Sequence, residues 1–348
     1  MSIMHKKEKI KMTVFLICFL IVVVVFGVGL KIMDNHMKEK DVSNKYFLRD
    51  EDEITEVAQG NVKFAGQVYD YFHQFETFLV IGTDNSGKDS AGYQGSMSDF
   101  LMLIAFDKTD DKYAFVPINR DTITKVHLID ENGEGEATAN IQICTAHWYG
   151  GDAYQSCENT ARAVSDMFGG IHIDGYYSLP MDAIARLNDE VGGVTVTLLE
   201  DFSDVDKTMT QGSTLTLTGE QAYHYIHDRF GVGDEKNISR MERQQQYMKA
   251  LFKKAKDRMQ QDKTYADRIF KDMEDVAVSD MSAKKVTKMA YSVAKGTSMG
   301  FFDIKGKNKV GQLLGDGIDH AEFYADRQSV VETMQKIYGL KKRNDDGN

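Results

Sequence analysis

Residues 78–84 read FLVIGTD, residues 100–106 read FLMLIAF and residues 113–116 read YAFV. Each is a short apolar run closed by polar or glycine-bearing sequence. The first stops at Gly82, as a buried strand does before a loop, and Thr83 to Gly95 has the composition of that loop. Lys108-Thr109-Asp110-Asp111 makes the turn between the second and third runs. Three buried strands therefore start the core.

Outward from them the chain alternates. Glu158 to Phe168 has helical spacing through Ala161, Val164 and Phe168, and Gly169-Gly170 ends it. Pro180 suits the first turn of another helix, through Ile184 and Leu187. Val191 to Val196 resumes a strand, Thr214 to Thr218 alternates as a further one, and Gln221 to Ile226 is helical or turn-like. Ser239 to Lys256 reads as a long amphipathic helix. Strands alternating with helices predict one α/β or α+β domain.

Met12 to Leu30, MTVFLICFLIVVVVFGVGL, carries no charged residue. At about 1.5 Å per residue it nearly crosses a hydrocarbon core about 30 Å thick. Lys6, Lys7, Lys9 and Lys11 precede it, and positive flanks stay cytoplasmic. The expectation is a single-pass cell-membrane protein: residues 1–11 cytoplasmic, 12–30 the transmembrane anchor and the rest extracytoplasmic. A cleaved signal peptide is the rival reading, weakened by the long apolar run and the poor cleavage site at Gly27-Val28-Gly29. Residues 31–74, charged and without long apolar runs, read as a juxtamembrane linker; 75–340 is the working domain and 341–348 a polar tail.

The chain has a formal charge of -11, although residues 1–31 hold five lysines and one glutamate. So acidic an ectodomain argues against a nucleic-acid partner and leaves anion binding to local arginines. Of three cysteines, Cys18 lies in the anchor. An oxidising exterior permits a Cys144–Cys157 disulfide; the alternative is two reduced, half-buried thiols. No cysteine or histidine spacing suggests zinc.

The chemistry centres on Ser239-Arg240-Met241-Glu242-Arg243-Gln244-Gln245. Ser239 and Glu242 have capping-box spacing, which starts the helix at Ser239. Arg240 and Arg243 then share one side of its first turns, where the helix end is already positive. Two arginines there make sense around a shared anion such as phosphate, or paired with Asp234, Glu235 and Glu242. Arg229 lies upstream of a glycine-bearing loop, and Asn119-Arg120-Asp121 follows an apolar strand. Asp84 and Asp99 flank apolar strands in the same way, and strand ends are where α/β proteins place their sites. Carboxylates there suit Mg²⁺, which takes oxygen ligands and often bridges phosphates.

These segments, in this order, resemble the LytR–CpsA–Psr family. The likeness runs from about Phe78 to Leu251. It rests on Phe78 to Asp84, Ser98-Asp99, Arg120-Asp121-Thr122, Val191 to Val194, Leu217 to Ala222, Arg229, Gly233-Asp234 and Arg240 to Gln245. The resemblance implies an α/β fold, a central mixed β-sheet flanked by helices, with an apolar tunnel for a polyprenyl chain. It implies a Mg²⁺-dependent phosphotransferase that moves a glycopolymer, such as teichoic acid or capsule polysaccharide, from an undecaprenyl-pyrophosphate carrier to a peptidoglycan hydroxyl. The product would be a phosphodiester. Carried onto matching positions, Arg120, Arg229, Arg240 and Arg243 would hold the pyrophosphate, with Gln244 assisting. Asp84 and Asp99 would bind Mg²⁺, and Asp121 would orient Arg120 or act near the acceptor hydroxyl.

The chain departs from that pattern three times: Asn119 stands where the family has the proline of Pro-Arg-Asp, and two arginines are replaced. Met97 stands where the family has the first arginine of Arg-Ser-Asp, and His227 where it has the first arginine of Arg-x-Arg. His227 could still bind phosphate when protonated. The losses keep two other readings open: a non-catalytic polyprenyl-pyrophosphate binder in envelope assembly, and a pyrophosphatase using water.

Overall fold

The computed structural model describes residues 60–71, 74–84, 96–129 and 137–343. They fall into two compact units. One contains Leu179–Ala277 and Met281–Ala294; the other holds the described residues up to Ser178, Val278–Asp280 and those from Lys295 onward.

The second unit is built on a sheet. β1 (Gly60–Phe64) and β2 (Gln67–Tyr71) form a hairpin, followed by β3 (Phe75–Thr83), β4 (Ser98–Asp107) and β5 (Lys112–Ile118). β6 (Ile123–Leu128) and β7 (Ala137–Gln142) make a ribbon. A 3₁₀ turn over Ile143–Trp148 leads to helix α1 (Ala153–Met167) and then β8 (Gly175–Pro180). The three strands read from the apolar runs are β3, β4 and β5, antiparallel and adjacent. Leu79, Ile81, Leu103 and Val116 face a core shared with Val164 and Phe168. Phe78, Val80, Met102, Ile104 and Phe115 on the opposite face are buried too. Burial on both faces is why these strands read as continuous apolar runs instead of alternating ones.

The other unit opens with helix α2 (Ala183–Glu190), a short ribbon of β9 (Thr195–Thr197) and β10 (Thr214–Thr216), and α3 (Gly219–His227). Helices α4 (Asn237–Met259), α5 (Tyr265–Met273) and α6 (Ala283–Lys295) follow. The chain returns to the sheet unit through β11 (Val278–Ser279), β12 (Thr297–Phe301), the ribbon of β13 (Gly306–Gly311) and β14 (His320–Ala325), helix α7 (Arg327–Tyr338) and β15 (Lys341–Lys342). The main sheet has the order β11-β8-β3-β4-β5-β12 and is mixed, because β12 runs parallel to β5 while β3, β4 and β5 are antiparallel. The expected α/β fold with a central mixed sheet and helices is therefore present.

Several boundaries differ from expectation. The linker does not extend to residue 74: Gly60 to Tyr71 is a hairpin, turned by Ala65 (φ 49°) and Gly66 (φ 85°). Two consecutive positive φ values are the type I′ geometry that matches strand twist. Nor is the tail free from 341, since Lys341 and Lys342 pair with β2 and Arg343 bonds Asp70. Pro180 ends β8 rather than starting a helix. The Val191–Val196 strand begins only at Thr195, because Gly192 and Gly193 take φ 60° and 84°. A Cβ at Gly193 would stand 2.6 Å from the Leu217 carbonyl oxygen, so the close approach requires glycine there. Among the described residues no helix is long and apolar enough to cross a membrane; the Met12–Leu30 run lies outside them, as does the loop beyond Asp84.

Candidate functional site

The sequence-predicted site residues stand in two clusters, one in each unit. The first is at the sheet end where β3 finishes and β4 begins. Asp84 locks to Met97 twice: its N–H donates to the Met97 carbonyl at 3.0 Å, and its Oδ1 accepts from the Met97 N–H at 3.0 Å. Asp99, two residues on, is buried. Arg120 follows β5 in a turn shaped by Asn119, whose Oδ1 accepts from the Asp121 N–H at 2.9 Å and whose carbonyl accepts from Thr122 Oγ1 at 2.6 Å. Cys144 then donates its N–H to the Arg120 carbonyl at 3.1 Å.

Within this frame Arg120 Nη1 bonds Asp99 Oδ1, Nη2 lies 3.2 Å from Cys144 Sγ and against Met97 Sδ, and Nε is 3.8 Å from Asp121 Oδ1. Burial opposes its charge; the Asp99 and Asp121 carboxylates outweigh that and raise its pKa. The Cys144 thiol is pushed up by burial, against the pull of Arg120, and so stays protonated near neutrality. Cys144 and Cys157 are both free and fully buried, so the disulfide is not formed; the thiols are deeper than the half-buried alternative. Cys157 Sγ instead lies 3.6 Å from His147 Nε2, and burial drives His147 down to about 4.

Asp99 thus neutralises Arg120, which the sequence reading had not joined. Among the described residues no group of three or more His, Cys, Asp or Glu is placed to hold a metal ion. Two carboxylates at one sheet end still fit the donor set of Mg²⁺, which binds through one or two carboxylates and completes its shell with phosphate oxygens and water.

The second cluster is where α3 ends against α4. The helix does not start at Ser239: it starts at Asn237, and Ser239 Oγ donates to Asp234 Oδ1 at 2.6 Å. Asp234 already holds the Lys236 N–H at 3.0 Å, so this loop carboxylate displaces the capping box. Arg240 and Arg243 are therefore the fourth and seventh helical residues. They reach sideways to the end of α3, with Gln244. Arg243 Nη1 donates to the Tyr225 carbonyl, Gln244 Nε2 to Ile226 at 3.1 Å, Arg240 Nη1 to His227 at 3.5 Å and Arg243 Nη2 to Asp228 at 2.5 Å. These are the carbonyls that a helix C-terminus leaves without intrahelical partners, and their partial negative charge draws the two guanidinium groups.

Each arginine has a further acceptor. Asn237 Oδ1 takes Arg240 Nη2 at 2.8 Å. Glu200 Oε2 stands 2.7 Å from Arg243 Nε, close but not aligned as a hydrogen bond, so the pair is held by charge. Arg243 is 1% exposed and lies 4.9 Å from the Phe202 ring centre. Burial lowers its pKa, against Glu200. The acids named in the alternative reading, Asp234, Glu235 and Glu242, are not its partners. Gly233 closes over Glu200, where any Cβ would overlap the carboxylate. A cavity of about 320 Å³ is lined here by Leu199, Glu200, Asp201, Gln211, Ser239 and Glu242.

Arg229 differs from its neighbours. It is partly exposed, its guanidinium lies 4.4 Å from the Phe230 ring centre, and among the described residues it has no carboxylate partner. His227 stacks on Tyr223 at 4.7 Å and shares Asp228 with His224. Sequence reasoning missed Glu200, Asn237, His224, Asp228 and the Cys144 contact. Glu200 ends an apolar segment with no motif around it; the i,i+4 spacing of His224 and Asp228 was the available signal.

The chain is similar to several known proteins. The polyisoprenyl-teichoic acid–peptidoglycan teichoic acid transferase TagU of Bacillus cereus is 28% identical over 178 residues, 51% of this chain and 52% of TagU. The chain thus spans about half the length of such curated relatives. Among solved structures, protein gbs0355 of Streptococcus agalactiae superposes with a TM-score of 0.61 at 19% identity, covering 78% of this chain and 90% of that one. The LytR-CPS2A-psr family protein YwtF (TagT), solved with bound octaprenyl pyrophosphate lipid, gives 0.51 at 19% identity, covering 76% and 90%. The family model LytR_cpsA_psr matches residues 33–338, which takes in both units and both arginine clusters, and the chain belongs to that family.

Proposed function

We propose that the chain transfers a glycopolymer from a polyprenyl-pyrophosphate carrier to a peptidoglycan hydroxyl, forming a phosphodiester. The observation that carries this reading is Arg229. In a chain of net charge -11 it keeps a guanidinium without an acid partner among the described residues, two residues from His227. A cation left unneutralised in an acidic protein is an anion site in waiting. The name of TagU, a teichoic acid transferase, and the octaprenyl pyrophosphate held by TagT support the donor class.

The reaction asks mainly for positioning and charge neutralisation, so it needs no covalent nucleophile. Arg229 and Arg240 bind the phosphates; in the sheet unit, Arg120 is kept charged by Asp99 and Asp121. Asp84 and Asp99 would be the residues to hold Mg²⁺, which would supply neutralisation of phosphate charge. Residues 12–30 anchor the chain, with the domain on the extracytoplasmic side where the carrier lies.

A second reading, binding without transfer, is favoured by one specific feature. Met97 and His227 replace arginines, and Asp99 already occupies Arg120. The two readings separate in a transfer assay with full-length chain in vesicles, Mg²⁺, an octaprenyl-pyrophosphate disaccharide and purified peptidoglycan. Arg229→Ala should lower transfer at least tenfold, the scale of one lost charge-assisted contact of about 1.5–3 kcal/mol. Donor binding by the wild type with no turnover supports the second reading; an unchanged rate in Arg229→Ala removes the site assignment.

A further inference from the structure

His224, His227 and Asp228 form a cluster that phosphate binding alone does not explain. Asp228 Oδ2 takes His224 Nδ1 at 2.7 Å and Asp228 Oδ1 takes His227 Nδ1 at 3.0 Å. Both contacts lower the carboxyl pKa against burial, so Asp228 is ionised and can only accept. Each Nδ1 must therefore be a donor, and in the neutral rings the lone pair sits on Nε2. Among the described residues neither Nε2 has a partner. Both side chains are about one-third exposed, at 30% and 31%.

The cluster is also held still. Two imidazoles grip opposite oxygens, so the carboxylate cannot turn. The His227 ring lies at 15° to Tyr223, which fixes its plane. Its carbonyl is bonded by Arg240 and that of Asp228 by Arg243. The charged groups meeting this turn are Asp228 and Arg229 from the loop, and Arg240 and Arg243 from α4. From α2, Asp189 meets the far end of α3 at Gly219, and Glu220 sits in that first turn.

The geometry points to His227 as the general base of the transfer, with Asp228 and His224 as its positioning residues. The inference rests on the transferase reading above. The acceptor hydroxyl gives its proton to His227 Nε2 while its oxygen bonds to the phosphorus that carries the glycan. The bond from that phosphorus to the bridging oxygen breaks, and polyprenyl phosphate leaves with the electron pair. The imidazolium then returns the proton to water. A permanently charged guanidinium at residue 227 could bind phosphate but could not take this proton. The position therefore exchanges a fixed cation for a titratable lone pair, two residues from the unpaired Arg229.

The test uses full-length chain in vesicles with the octaprenyl-pyrophosphate disaccharide donor and purified peptidoglycan, measured from pH 5 to 9. For His227→Gln, kcat should fall about a hundredfold, with the donor KM changed less than threefold. The acidic limb of the pH profile should flatten. His227→Arg should bind donor at least as tightly as wild type yet remain as slow as His227→Gln. Asp228→Asn should lower kcat without raising KM. A His227→Arg variant with wild-type kcat overturns the inference, as does a His227→Gln variant that only raises KM with the acidic limb intact. Wild-type transfer with either result removes only this inference; a wild type that binds donor without transferring removes the transferase reading and the base together. Melting temperatures equal to wild type establish that the variants fold.

Discussion

Arg243 shows how one residue can carry two meanings. In the sequence it belongs to an anion motif; in the structure it is 1% exposed and spans Glu200 and the Tyr225 and Asp228 carbonyls. Removing one partner of a buried ion pair typically costs about 3–5 kcal/mol, because the other charge is left buried and uncompensated. Glu200→Ala should therefore destabilise the fold by an amount in that range, and Arg243→Ala by more, since it also strands two carbonyls. Urea unfolding of both single variants and the double variant measures this. A strong coupling between them is expected, and strictly additive losses would contradict the link. It follows that Arg243→Ala is a poor probe of catalysis, whereas Arg229→Ala is a clean one.

Elements were legible where burial writes a pattern. β3, β4 and β5 could be read because both their faces are buried. The β1–β2 hairpin was hidden by its charges, yet Val62, Phe64 and Val68 around Ala65-Gly66 carried the alternation and the turn. The start of α4 was misread because a tertiary contact overrode a local rule: Asp234 captured the hydroxyl of Ser239. What no local pattern records is a side chain reaching across chain distance, as Glu200 does to Arg243 and Asp99 to Arg120. Those pairs are set by folding and leave no spacing behind.

Helix α2 offers a pH test of its own. Burial and Asp272 raise Glu190 to about 7, at a helix C-terminus that disfavours negative charge. A carboxyl with a raised folded pKa binds more protons in the native state than unfolded. Stability therefore falls as pH rises from about 4.5 to 7, and is independent of this group outside that window. Glu190→Gln should flatten the decline in melting temperature over that range. A decline identical to wild type would show that Glu190 titrates normally.

At the scale of the molecule, an acidic chain keeps its arginines at two places, one in each unit, and the family match includes both. The proposed anchor gives that arrangement its setting. A polyprenyl carrier does not leave the bilayer, so a tethered domain and its donor share one surface and a raised effective concentration. The described structure begins at Gly60, inside the segment that the sequence reads as linker.

The central claim is transfer, and phosphorus is the atom to follow. Full-length chain in vesicles, given Mg²⁺ and a donor labelled with ³²P at the phosphate next to the sugar, should deliver label and sugar together to peptidoglycan. The linkage should resist phosphomonoesterase until mild acid breaks the glycosyl–phosphate bond, which frees the sugar and leaves the label on peptidoglycan as a monoester. Label that stays on the lipid, or that appears as free sugar phosphate in the absence of peptidoglycan, would contradict the account.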